Sequence, residues 1–155
     1  MGHPEIHWPA GFTPEHAHSF CNAHAFVQAP PDRVFSLLAD VTWWPQWVPG
    51  VTEVVPGAPP KTFQLLFHGH RFEVFAGEQD RPHRLGWSAV GAGVQLYQAW
   101  LLSEVEHGTH VITENVVRGP AAHSMNMSSP PWTVRLNSLW LAQLKRMSEN
   151  FQKPV

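Results

Sequence analysis

The chain contains one cysteine, Cys21, so no intramolecular disulfide can form and neither zinc-finger nor CxxC redox spacing can occur. That usage fits a reducing, cytoplasmic setting. Charge is scarce too: Asp, Glu, Lys and Arg make up 14% of the residues, against roughly 25% in an ordinary soluble domain. With a net charge of −2 and basic residues scattered rather than striped, the sequence offers no polyanion-binding surface, and nucleic acid is not expected as a partner. No uninterrupted apolar run approaches the ~20 residues of a membrane span. The opening MGHPEIHWPAGF lacks a basic region followed by an apolar one, so neither an integral membrane segment nor a secretory leader is expected.

Aromatic area, by contrast, is in surplus, with eight Trp and nine Phe among 155 residues. One domain is expected at this length, with a substantial core and no need of covalent staples. Three of the indoles fall in DVTWWPQWVPGV (40–51), interrupted by Pro45 and Pro49. Trp buries most of its ring while keeping a partner for its N–H. Trp43, Trp44 and Trp47 should therefore lie over an ordinary core or over a cavity that holds a ligand.

Residues 1–17, with three His and three Pro and no period, read as an irregular, poorly ordered arm. A strand is expected over 18–29, then a helix opened by Pro30 and Pro31, then a short helix capped by Thr42. Alternating apolar residues place strands at 51–55, at 61–79 with a turn at His68-Gly69, at 84–91, and at 94–106 and 109–119 around His107-Gly108. From 128 to 151 the period changes to that of one long amphipathic helix. Ser129 would cap it, and Leu136, Leu139, Trp140, Leu144 and Met147 would form its apolar stripe.

Strand, two short helices, six further strands and a long helix is the order of the helix-grip fold, an α+β architecture in which a curved antiparallel sheet of six to seven strands wraps a C-terminal helix. APPDRVFSLLADVTWWPQWVPGV (29–51), DRPHRLGW (80–87), the spacing from Trp100 to Gly108-Thr109-His110-Val111, and ENVVRG (114–119) resemble, in that order, landmarks of the START-like (SRPBCC) superfamily, in its polyketide cyclase/dehydrase-like branch. The resemblance covers about residues 18–151 and implies one domain over 18–155. It further implies binding of a hydrophobic small molecule (a lipid, polyketide or aromatic metabolite) in a cavity between sheet and helix. It leaves open a polyketide cyclase or dehydratase, and a ligand-independent interaction domain, because this superfold hosts all three. No cofactor is implied, and the state is expected to be monomer or homodimer.

Strand phase then selects the cavity wall. If Phe67 faces inward, so do Trp87, Gln98, Trp100, Thr113 and Asn115, with Trp47 from the indole-rich turn and Leu136 and Trp140 from the long helix. That wall is aromatic with a few polar groups to orient a ligand. A cyclase also needs a base and an oxyanion donor. Glu114 or His70 could be the base, with Arg118 or Asn115 as the donor. In this phase, however, Glu114 and Arg118 fall on the outer face, and only a one-residue slip of the last strand would bring them in. Of eleven histidines, His16 with His18, His68 with His70, and His107 with His110 are the closest pairs in sequence. No carboxylate or thiolate completes a set with any of them, so no metal is expected.

Overall fold

The computed structural model describes residues 3–9, 12–17, 19–57, 61–121 and 132–150. Seven strands form one antiparallel sheet: β1 (Ser19–Val27), β2 (Val51–Pro56), β3 (Thr62–Phe67), β4 (His70–Asp80), β5 (Arg84–Gly91), β6 (Val94–Val105) and β7 (Gly108–Arg118). The spatial order is β1-β7-β6-β5-β4-β3-β2. Every neighbour after β2 is therefore a hairpin partner, and β1 returns to close on β7. Helices α1 (Pro31–Ala39) and α2 (Trp44–Trp47) follow β1, and the long helix is α3 (Trp132–Asn150). This is the helix-grip architecture expected from the pattern. Among the described residues, no helix is long and apolar enough to cross a membrane.

Local chemistry explains the element ends. Pro31 opens α1, where a missing N–H costs little, and Val34, Phe35 and Leu38 form its buried side. His68 and Gly69 both take positive φ, 47° and 80°, the twist a two-residue hairpin needs between β3 and β4. Thr42 does not cap a helix. A 3₁₀ turn over Val41–Trp43 precedes α2, and the Thr42 hydroxyl donates instead to Asp40 Oδ1 at 2.8 Å. On α3, Leu136, Trp140, Leu141 and Leu144 are buried, whereas Leu139 is 49% exposed. The stripe is rotated relative to the sequence expectation, losing Leu139 and gaining Leu141, because Leu139 sits on the flank turned away from the sheet. The expected cap Ser129, residues 128–131 and Phe151 lie outside the described residues.

The two faces of the sheet carry separate cores. On the helix-covered face, β3 to β7 meet α1, α2 and α3 in the main core. On the other face Ile6, Tyr97, Ala99, Leu101 and Ile112 form a second core, with Trp8 and Phe12 packed against it. The N-terminal arm is therefore docked, because β6 and β7 present apolar side chains on both faces and the outer set needs a cover. Tyr97 anchors this side. Its ring lies over Gly86, where an added Cβ would collide with the phenol oxygen. Burial raises the Tyr97 pKa, although its oxygen accepts the backbone N–H of Glu78.

A polar clamp ties the end of α3 to the end of β1. Glu149 Oε2 accepts the backbone N–H of Gln28 at 2.9 Å and Lys145 Nζ at 2.6 Å, while Lys145 also donates to the Phe26 carbonyl. The Gln28 N–H, and after it Lys145, hold the Glu149 pKa below the usual carboxylate value. A depressed folded-state pKa contributes stability that is present above the unfolded pKa and is lost as pH falls through the folded one. Glu149→Gln is accordingly expected to lower the denaturation midpoint modestly at pH 7, with the gap closing in acid below the ordinary carboxylate range. A gap that stays constant across that range would remove the charge from the clamp.

Candidate interior binding site

Trp44 and Trp47 turn inward from α2, while Trp43, 49% exposed, turns out. Inside, the two rings join Trp87 of β5, Trp100 of β6 and Trp140 of α3. Trp44 lies 4.8 Å from Trp87 and 5.2 Å from Trp140 between ring centroids, and Trp140 lies 5.7 Å from Trp47 and 5.6 Å from Trp100. Most of these contacts are edge-on or tilted, the arrangements that ring quadrupoles favour. Trp44 is fixed by a hydrogen bond from its Nε1 to the Leu38 carbonyl at 3.2 Å. The indole nitrogens of Trp47 and Trp100 are buried without a partner among the described residues.

Beside this cluster lies a cavity of about 60 Å³, walled by Trp44, Trp87 and Trp140 and by Leu65, Phe67, Phe72, Val74, Leu96 and Leu136, with Gln98 its sole polar lining residue among those described. No Asp, Glu, His, Lys or Arg among the described residues lines it. Phe67, Phe72 and Val94 of its wall also border a hollow of about 270 Å³, which His68 and His70 help to line.

Next to the cavity sits a buried amide network. Gln98 Nε2 donates to Thr113 Oγ1 at 3.0 Å and to Asn137 Oδ1 at 3.4 Å. Asn115 Nδ2 donates to the same Asn137 oxygen at 2.9 Å. The Thr113 hydroxyl donates to the Ala99 carbonyl at 3.0 Å. Asn115 Oδ1 and Asn137 Nδ2 are left without a partner among the described residues, and both residues are fully buried.

Phe67, Trp87, Gln98, Leu136 and Trp140 thus line the cavity, Trp47 and Trp100 pack on its indole wall, and Thr113 and Asn115 stand behind Gln98. Asn137 is a member the sequence did not single out. Its signal was a polar residue directly after Leu136 on a helix whose apolar stripe runs on to Trp140 and Leu141, with cross-strand amides already placed at 98 and 115. The pairing of Gln98 with Asn115 and of Trp100 with Thr113 fixes the phase of β7.

In that register Glu114 points to the other face. It is buried there, 1% exposed, accepting the His3 backbone N–H at 2.9 and 3.1 Å and the Asn22 amide. Arg118 stacks over the Phe12 ring on the same outer side. His70 is exposed at the β3–β4 turn. The three catalytic candidates therefore do not converge. Among the described residues, no three of His, Cys, Asp and Glu are arranged to hold a metal ion. His110 meets His24 of β1 rather than His107, with ring nitrogens 3.2 Å apart. His18 and the side chain of His16 fall outside the described part.

Residues 22–146 match the family described as polyketide cyclase / dehydrase and lipid transport. No curated protein matches the sequence at a significant level. Among solved structures, a hypothetical protein from Helicobacter pylori superposes with a TM-score of 0.84 at 18% identity, over 96% of this chain and 98% of that one. A START superfamily protein from Mycobacterium smegmatis gives 0.68 at 13% identity, over 86% and 99%. The di-domain ARO/CYC BexL from the BE-7585A biosynthetic pathway gives 0.66 at 17% identity, over 88% of this chain and 51% of that one. At such identities the likeness is one of fold.

Proposed function

The chain belongs to the polyketide cyclase / dehydrase and lipid transport family, and from that premise we propose that it binds a hydrophobic small molecule between the sheet and α3. The observation that carries this reading is the cavity itself, with twelve apolar residues and one amide along its wall. A packed core normally leaves few voids larger than a water molecule. An apolar void beside indoles whose N–H groups lack partners is better suited to a ligand than to solvent.

Size sets a condition on this reading. A cavity that holds benzene measures ~150 Å³, and the space here is about 60 Å³. A lipid, polyketide or aromatic metabolite therefore enters only if indoles move. Trp44 is hydrogen-bonded in place, whereas Trp47 and Trp100 have, among the described residues, no hydrogen bond from the ring nitrogen to break. The hollow that shares Phe67, Phe72 and Val94 with the cavity is the entry route this reading uses. A carrier is favoured over a cyclase because the cavity lining, among the described residues, offers no group able to take a proton near neutral pH.

Small aromatic and polyketide-like ligands are expected to quench Trp fluorescence saturably and to raise the melting temperature over the same concentration range. Trp100→Phe should reduce the quench by removing a reporter. If a broad panel of hydrophobic ligands produces neither effect, the interior is closed core and the protein acts as an interaction domain.

A further inference from the structure

Sheet register brings together two histidines that stand 86 residues apart in the chain. β1 and β7 pair without a break from Ser19 opposite Val117 to Val27 opposite Thr109, which sets Phe26 against His110 and His24 against Ile112. His24 and His110 are therefore diagonal neighbours on the outer face, within reach of each other's rings. His24 Nδ1 and His110 Nε2 lie 3.2 Å apart, with the ring planes at 77°. His24 is exposed and His110 half-buried, so solvent reaches the pair.

Two neutral imidazoles can hold this spacing by one N–H···N hydrogen bond, with a proton on one of the facing nitrogens. At an exposed site such a bond contributes little, since water competes for both groups. The same spacing suits a shared metal ion. With metal–imidazole bonds of ~2.0–2.1 Å, nitrogens 3.2 Å apart subtend about 100° at the ion, between the square-planar and tetrahedral angles. Both facing nitrogens must then be unprotonated, which leaves each imidazole proton on the far nitrogen, His24 Nε2 and His110 Nδ1. One ring changes tautomer, and no net proton leaves a pair that starts neutral.

The surroundings select the kind of ion. The register sets Asn22, Phe26, Ile112 and Ser103 beside the pair on the outer face. Glu114, the next outer-face residue of β7 after Ile112, is taken by the His3 N–H and the Asn22 amide. Hard cations such as Mg²⁺ and Ca²⁺ require oxygen ligands, whereas Cu²⁺, Ni²⁺ and Zn²⁺ accept imidazole. Since no three of His, Cys, Asp and Glu converge among the described residues, the protein supplies two ligands and water or an external ligand fills the other positions. That makes the site exchangeable rather than structural.

We infer that His24 and His110 form a two-point site for an exchangeable late transition-metal ion, which clips the edge strand β1 to β7. The site lies across the sheet from the interior cavity and does not depend on the interior-binding reading.

Calorimetric titration of the full chain with Ni²⁺, with Mg²⁺ as the comparison ion, tests it. One Ni²⁺ per chain is expected to bind in the native protein, and Mg²⁺ is not. His24→Gln and His110→Gln can each keep a hydrogen bond across the strands but ligate Ni²⁺ poorly. Each should weaken binding at least about tenfold, the loss that even an outer-shell change brings. Both positions are open to solvent, and melting without metal checks that the variants fold. His107→Asn, at the exposed β6–β7 turn, controls for binding by other histidines and should leave the affinity unchanged. Electron paramagnetic resonance of the Cu²⁺ form should show two imidazole nitrogens in the native protein and one in each variant at the pair. No binding of Ni²⁺, affinity that survives either substitution at the pair, affinity lost in His107→Asn, or a single-nitrogen Cu²⁺ spectrum in the native protein overturns the inference.

Discussion

Trp140→Ala is expected to destabilise the protein by about 3–5 kcal/mol, the range for removing a large aromatic side chain from a core. Its ring is 4% exposed and touches Trp44, Trp47, Trp87 and Trp100, so no single neighbour can close the space it leaves. One edge already borders the cavity, which places the effect toward the lower end. The same substitution enlarges the cavity, so ligands that now require indoles to move should bind the variant faster. Chemical denaturation with stopped-flow binding checks both halves. An unchanged midpoint would mean that α3 does not hold the core together.

Glu114→Ala is expected to lower stability by about 1.5–3 kcal/mol, the scale of hydrogen bonds to an ionisable acceptor lost at a buried site, and to free the N-terminal arm. Both carboxyl oxygens accept the His3 N–H and one also accepts Asn22. The cover over Tyr97, Leu101 and Ile112 is thereby fastened at this residue. Hydrogen exchange over residues 3–9 should rise in the variant. Affinity for apolar ligands should not change, since Glu114 lies across the sheet from the cavity. Loss of stability with the arm still protected would show that the carboxyl acts on the β1–β7 pairing alone. Loss of ligand binding with the fold intact would return Glu114 to the interior site.

The sequence was most legible where burial repeats with a period. Alternation along β3 to β7 placed Phe67, Trp87, Gln98 and Leu96 on one face, and the structure keeps them there around one cavity. Hairpins announced themselves through short turn dipeptides such as His68-Gly69, whose positive φ values follow from the twist of the flanking strands. The arm was harder to read. Ile6, Trp8 and Phe12 have no spacing that marks a strand or helix, and their burial depends on an outer sheet face assembled from residues some ninety positions away. Trp8 packs there against the core that contains Leu101.

By itself, then, the sequence determined the class of fold, the hairpin order and the face on which the residues of β3 to β6 stand, because these depend on local periodicity and turn chemistry that act within a few residues. Only the tertiary structure decided the contents of the interior. The phase of β7 was open by one residue in the sequence, and the Gln98–Asn115 and Trp100–Thr113 pairing closed it, sending Glu114 to the arm and leaving Thr113 and Asn115 inside. The cavity is small because indoles from α2, β5 and α3 converge on it, with Trp47 and Trp100 packed against Trp140, and the amide network behind it forms because Asn137 arrives from α3 to meet two strands. Such convergence is a property of side chains far apart in the chain, set by how helix and sheet cross, and no local pattern encodes it.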